Sequence, residues 1–187
     1  MQKRSYRSQR RKEKAPDERI GQVFETRVER IVPGGLGLGY AEGHTLLVAL
    51  AVPGDLVEVE IQSVRGQVCF AHIRRIIEPS PVRVEPPCPF FGDPKRCGGC
   101  DFQQLTYEAQ LAAKLDIIRD ALRRTGGITA PPSLDITPAP HAWGYRSRAE
   151  WQHDAQRKLL GYYERGSHRI CDVSHCPVVV PELERTL

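Results

Sequence analysis

The sequence has no run of about 18 apolar residues, the length a membrane-spanning helix needs. Its N-terminus is basic, but no apolar segment follows, which argues against a secretory signal peptide. Its glycines never form a G-x-G-x-x-G fingerprint ahead of a helical pattern, which argues against a dinucleotide-binding loop. No second C-x2-C knuckle matches the one at Cys97 and Cys100, which weakens the usual structural zinc site. These absences leave a cytoplasmic protein without a membrane partner as the expectation. In that compartment, cysteine clusters point to metal or redox sites more than to disulfides.

What is present fits one or two small domains rich in turns: 187 residues, 40% hydrophobic, with 15 prolines and 16 glycines. Charge is unevenly placed. Residues 1–14 hold seven Lys or Arg and one Glu, so the net charge of +4 belongs to this tail and the remaining residues sum to −2. A disordered basic tail is expected over 1–18. Lys3, Arg4, Arg7, Arg10 and Arg11 are its candidate contacts to nucleic-acid phosphates; the alternative is a solubilising terminus with no specific partner.

Residues 19–78 alternate short β-rich runs with turn signals. The runs lie at 22–31, around the glycines at 34–39, at 46–50, at 57–62 and at 68–77. Val57, Val59 and Ile61 alternate with Glu58, Glu60 and Gln62, a period of two. Five strands in about sixty residues predict an OB-like barrel. The glycine run reads as a tight bend between two strands. Residues 79–87 hold four prolines, which favour extended backbone and forbid a helix.

A single convincing helix is predicted over residues 107–124. Leu111, Leu115, Ile118 and Leu122 make one apolar stripe, Thr106 can cap the start and Gly126 can end it. Its other face carries Lys114, Arg119 and Asp120, read as a solvated face in preference to an RNA-facing one. A hairpin is expected from strands at 149–153 and 159–163, with a further strand in 167–173 and a helix start at 181–185. The fold class is therefore mainly β with one long helix: the barrel, then an α+β region over 79–187.

Residues 87–104 hold Cys88, Cys97 and Cys100 and almost nothing that could build a hydrophobic core. Cys171 and Cys176 lie far downstream, and Cys69 sits in a barrel strand. Three local cysteines plus a remote one favour a [4Fe-4S] cluster, while zinc and disulfides or free thiols stay open. Gly98 and Gly99 remove bulk beside the sulfurs and leave backbone N–H groups free to approach them.

Two resemblances follow. Gly34-Gly35-Leu36-Gly37, Pro53-Gly54-Asp55-Leu56-Val57-Glu58-Val59 and Arg74-Arg75-Ile76-Ile77 resemble the TRAM domain, an RNA-binding barrel. Cys88-Pro89-Phe90-Phe91-Gly92, Cys97-Gly98-Gly99-Cys100, Gln103-Gln104, Tyr145-Arg146-Ser147-Arg148 and Asp172-Val173-Ser174-His175-Cys176-Pro177 resemble the bacterial RNA uracil-5-methyltransferases, most closely the 23S rRNA branch. The resemblance spans about residues 19–187. It implies a TRAM barrel and an incomplete iron–sulfur central domain, with a [4Fe-4S] cluster on Cys88, Cys97, Cys100 and Cys176. The loop between the first two cysteines is longer than the family often has. Cys69 and Cys171 match no family ligand and read as a buried thiol and a spare one.

Arg146 and Arg148 are candidate RNA contacts, weighed equally against a surface hairpin with ordinary charge pairing. The implied partner is RNA, ribosomal in the family, and a monomer is expected. S-adenosylmethionine belongs to the parent family only. Methyl transfer to a uracil carbon needs a nucleophilic cysteine, a base and a methyl-donor pocket. None is read in residues 1–187, so no catalytic residue is assigned and the chain reads as the front part of such an enzyme. The alternative is a standalone nucleic-acid-binding protein with a structural zinc or iron–sulfur site.

Overall fold

The alternation at 57–61 sets the interior of the first domain. In the computed structural model, which describes residues 17–92, 96–130 and 133–187, Val57, Val59 and Ile61 are fully buried. The intervening Glu58 and Glu60 face outward toward Arg75 and Arg74 of the next strand. The strands are β1 (Val23–Arg27), β2 (Arg30–Val32), β3 (Leu36–Ala41), β4 (His44–Val48), β5 (Leu56–Arg65) and β6 (Val68–Glu78). Their order is β1-β5-β6-β4-β3-β2, antiparallel except for β4 beside β6. Phe24, Val28, Leu46, Val48, Cys69 and Ala71 complete the core around the β5 residues. Cys69 is therefore the buried thiol expected.

The barrel closes because β1 and β2 are one bent strand. Only Val28 and Glu29 separate them, yet β1 pairs with β5 and β2 pairs with β3 at the opposite edge. Val28 N–H donates to Asp55 O and Glu29 N–H to Leu38 O, so the bend itself stays hydrogen-bonded. The run expected at 22–31 thus divides into two pairings.

The glycine run has two uses, of which one was expected. Gly34 and Gly35 form the turn into β3, with φ of 90° and 74°. Gly37 and Gly39 instead lie inside β3, where the bent strand crosses closely. A Cβ on Gly37 would stand 2.7 Å from Ala51 Cβ and 2.8 Å from Val28 Cγ1. Gly37→Ala should therefore destabilise the chain by about 1–3 kcal/mol through overpacking. Urea unfolding checks this; a midpoint unchanged from wild type would contradict the close crossing.

The helix α1 (Tyr107–Arg124) has the expected bounds. Thr106 Oγ1 accepts from Ala109 N–H at 3.4 Å, and Gly126 N–H closes the far end on Ala121 O. Its apolar stripe is only partly covered. Leu111, Leu115 and Leu122 are half-buried, Ile118 is 46% exposed, and Ala113 is the one buried side chain in the helix. The helix leans on β2 along one side, where Asp120 pairs with Arg30 at 3.4 Å. Periodicity records an amphipathic face but not how much of it is covered.

Beyond the helix lie β7 (Gln152–Asp154), β8 (Leu159–Tyr163), β9 (Ile170–Asp172) and the single turn α2 (Pro181–Glu184). The three strands form their own antiparallel sheet. The strand expected at 149–153 shrinks and shifts to 152–154, because Arg146 just upstream is drawn elsewhere. Arg146 N–H donates to Val178 O, and Val180 N–H donates to Arg146 O, each at 3.0 Å. Among the described residues no helix is long and apolar enough to cross a membrane.

Candidate metal centre

The proline-rich linker does not simply lead away from the barrel. Val84 N–H donates to Gln104 O and Thr106 N–H to Val82 O, each at 2.9 Å. Residues 82–84 and 104–106 thus form an antiparallel neck, and the cysteine stretch is an excursion closed at its base. The neck is bolted to the barrel. Arg83 Nη2 donates to Asp55 Oδ2 at 2.6 Å and to Leu50 O at 3.0 Å. Asp55 has no solvent exposure and also accepts from Val52 N–H and Ser80 N–H, both at 2.8 Å.

Within the excursion, local hydrogen bonds turn the cysteines inward. Phe91 N–H donates to Cys88 O at 3.1 Å, and Cys97 N–H donates to Phe90 O at 2.9 Å. Gly98 N–H donates to Tyr163 O at 2.9 Å, and the same oxygen would stand 2.9 Å from any Cβ at Gly98. A side chain there would part the loop from β8. Gly99 N–H points at Cys97 Sγ, 3.4 Å away. This is the free N–H beside a sulfur that the two glycines led us to expect.

Residues from the far end of the chain complete the wall. Arg165 donates to Asp101 Oδ1 at 2.6 Å and to Cys100 O, fixing the loop from outside. Cys176 is buried with Val173, Val178 and Val179, and its N–H donates to Glu184 Oε1 at 3.0 Å. Cys88, Cys97, Cys100 and Cys176 all line one small pocket, closed in by Phe90, Tyr162 and Val178. Its free volume is about 20 Å³, room for a single water.

The pocket disfavours bare thiolates. Burial pushes the Cys97 thiol up to about 11, against the opposing pull of the Gly99 N–H. Burial also raises Cys100, opposed by hydrogen bonding from Gln103 and by the Arg146 charge. Cys171 is raised by burial and by Glu164. It packs against the same apolar cluster but does not line the pocket. Such thiols stay protonated until a cation displaces the proton. Among the described residues no three His, Cys, Asp or Glu side chains are grouped as ligands of one ion.

Of the arginines singled out from sequence, Arg146 lines the pocket and Arg148 is exposed outside it. Lys3, Arg4, Arg7, Arg10 and Arg11 lie outside the described residues. Sequence reasoning quoted Gln103 and Gln104 without giving them a role. Both are buried, and Gln103 stands beside Cys100. Two adjacent polar residues in a cysteine loop were the available signal.

Comparison with known proteins finds similarity to RNA methyltransferases. No protein-family model matches the sequence. An uncharacterized RNA methyltransferase of Thermosynechococcus vestitus is 34% identical over 171 residues, 89% of this chain and 37% of that protein. The 23S rRNA (uracil(1939)-C(5))-methyltransferase RlmD of Pectobacterium atrosepticum is 36% identical over 162 residues, 86% of this chain and 35% of that protein. The chain thus spans about a third of the length of the curated relatives it matches. Among solved structures, the tRNA (uracil-54, C5)-methyltransferase of Pyrococcus abyssi, in complex with S-adenosyl-L-homocysteine, shares the fold. Its TM-score is 0.53 at 24% identity, covering 86% of this chain and 34% of that one.

Proposed function

We propose that this chain is the RNA-recognition and iron–sulfur portion of an S-adenosylmethionine-dependent RNA uracil-5-methyltransferase, acting on ribosomal RNA in the cytoplasm as a monomer. The observation that carries the reading is the similarity to RNA methyltransferases along 86–89% of the chain. It covers both the barrel and the cysteine pocket, so the two belong to one working unit.

Four cysteines can hold either a zinc ion or a [4Fe-4S] cluster, and the spacing of three local thiols with a remote fourth favours the cluster. The four thiols share one small pocket. Cys88, Cys97, Cys100 and Cys176 would hold the cluster, whose charge would meet the cost of ionising buried thiols. The role that fits is structural: the pocket joins the loop to the distant segment 173–179.

The barrel would hold RNA as a TRAM-type, OB-like module, the strand order with one parallel pair being that of a five-stranded Greek-key barrel. The basic tail adds phosphate contacts through Lys3, Arg4, Arg7, Arg10 and Arg11, and Arg148 adds an exposed cation to those of the second domain. No residue of 1–187 is assigned to the methyl donor or to attack on the ring.

Fluorescence anisotropy with a labelled single-stranded RNA of about ten nucleotides tests this reading. Binding should weaken steeply with salt, and deleting residues 1–14 should flatten the slope by about 0.7 for each phosphate that the tail neutralises. A chain that binds no RNA even at low salt would sink the proposal.

A further inference from the structure

A second cavity, of about 400 Å³, lies on the other side of the cysteine loop. Its walls are the first half of α1, the residues around Gln103, and the segment 136–146. Two contacts hold that segment in place. Tyr107 Oη accepts from Ala139 N–H at 2.8 Å, and Gly144 N–H donates to Pro177 O at 2.9 Å. The volume falls within the range of small-ligand pockets and suits one nucleotide.

The lining has the chemistry of that ligand. Lys114 and Arg146 bring two cations, and among the described residues neither has a carboxylate partner. The acid in the wall, Asp101, is already paired with Arg165 at 2.6 Å. Tyr107, Trp143 and Tyr145 bring aromatic faces, and Tyr145 is 52% exposed. Gln103, 5% exposed, lies in the wall shared by this cavity and the cysteine pocket.

We infer that this cavity binds one unpaired nucleotide of an RNA strand. Its base stacks on Tyr145 and Trp143, while its phosphate sits between Lys114 and Arg146. Aromatic faces and adjacent cations are elements by which proteins take splayed-out bases from single-stranded RNA. The assignment rests on the RNA-binding reading above. It adds a place, outside the barrel, where a single base is gripped. Lys114, read from sequence as part of a solvated face, becomes part of the site.

Tyr145→Ala and Lys114→Gln, made in the whole chain, test this with the same RNA of about ten nucleotides. Arg157→Gln, on a remote exposed turn, serves as the charge control. Tyr145→Ala should weaken binding about tenfold. Lys114→Gln should flatten the salt slope by about 0.7, and Arg157→Gln should change affinity by less than about twofold. An abasic sugar at one RNA position should weaken wild-type binding about tenfold and Tyr145→Ala binding little further, because both remove the same stack. RNA carrying 4-thiouridine should cross-link within residues 133–146, a readout independent of any variant. RNA binding that survives both substitutions, with cross-links elsewhere, overturns the cavity assignment and leaves the functional reading standing. A wild-type chain that does not bind RNA overturns both.

Discussion

Asp55→Ala should cost the chain about 3–5 kcal/mol of folding stability. Asp55 is fully buried and accepts hydrogen bonds from Val52 N–H, Ser80 N–H and two nitrogens of Arg83. Removing the carboxylate strands the guanidinium, whose side chain is only 17% exposed, and leaves two backbone donors unpaired. The cost is a large share of the roughly 5–15 kcal/mol that holds a typical domain together. Because Arg83 is in the neck of the cysteine excursion, the damage should reach the second domain as well as the barrel. Urea unfolding measures the loss. Arg83→Leu added to Asp55→Ala should recover part of it, since no charge is then left buried without a partner. A loss below about 1 kcal/mol would mean that the pair is a surface bridge in disguise.

The other large effect concerns the cysteines. Protein purified or reconstituted without oxygen should be brown and hold about four irons per chain. Cys176→Ala should lose most of that iron and lower the thermal midpoint, because the free energy of binding is also free energy of folding. Cys69→Ser should leave the iron content alone, since Cys69 is enclosed in the barrel core away from the pocket. A colourless protein with one zinc would overturn the cluster and restore the zinc alternative. Unchanged iron in Cys176→Ala would remove Cys176 from the ligand set, leaving Cys171 in β9 as the next thiol to test.

Much of the barrel could be read in advance because its signals are local. Val57, Val59 and Ile61 alternate on one face of one strand, and the caps of α1 lie beside the residues they cap. The division of the first run into β1 and β2 could not be read, because Val28 bends the chain only in response to strands far along the sequence. The partial cover of the α1 stripe was not legible for a related reason: spacing gives Ile118 its place on the apolar face but not its 46% exposure. The four pocket cysteines were legible through the family resemblance, since spacing alone left zinc and disulfides open. The cavity at Lys114 and Tyr145 was not legible as a cavity, although the sequence offers Arg146 as a candidate RNA contact and an RNA-facing Lys114 as the lesser reading. Its walls come from two segments with a turn and a proline-rich connection between them, and each wall reads alone as ordinary surface.

Cys176 follows Cys100 by 76 residues. At about 5–20 residues per second, synthesis needs roughly 4–15 s to supply the last wall of the pocket after the third thiol has been made. The barrel, whose strands are contiguous from Val23 to Glu78, is complete well before that. Its neighbour must hold three exposed thiols until the chain returns. The interval makes the newborn chain most open to oxidation between these two events, and a cluster held by all four thiols would be completed only after the barrel has folded.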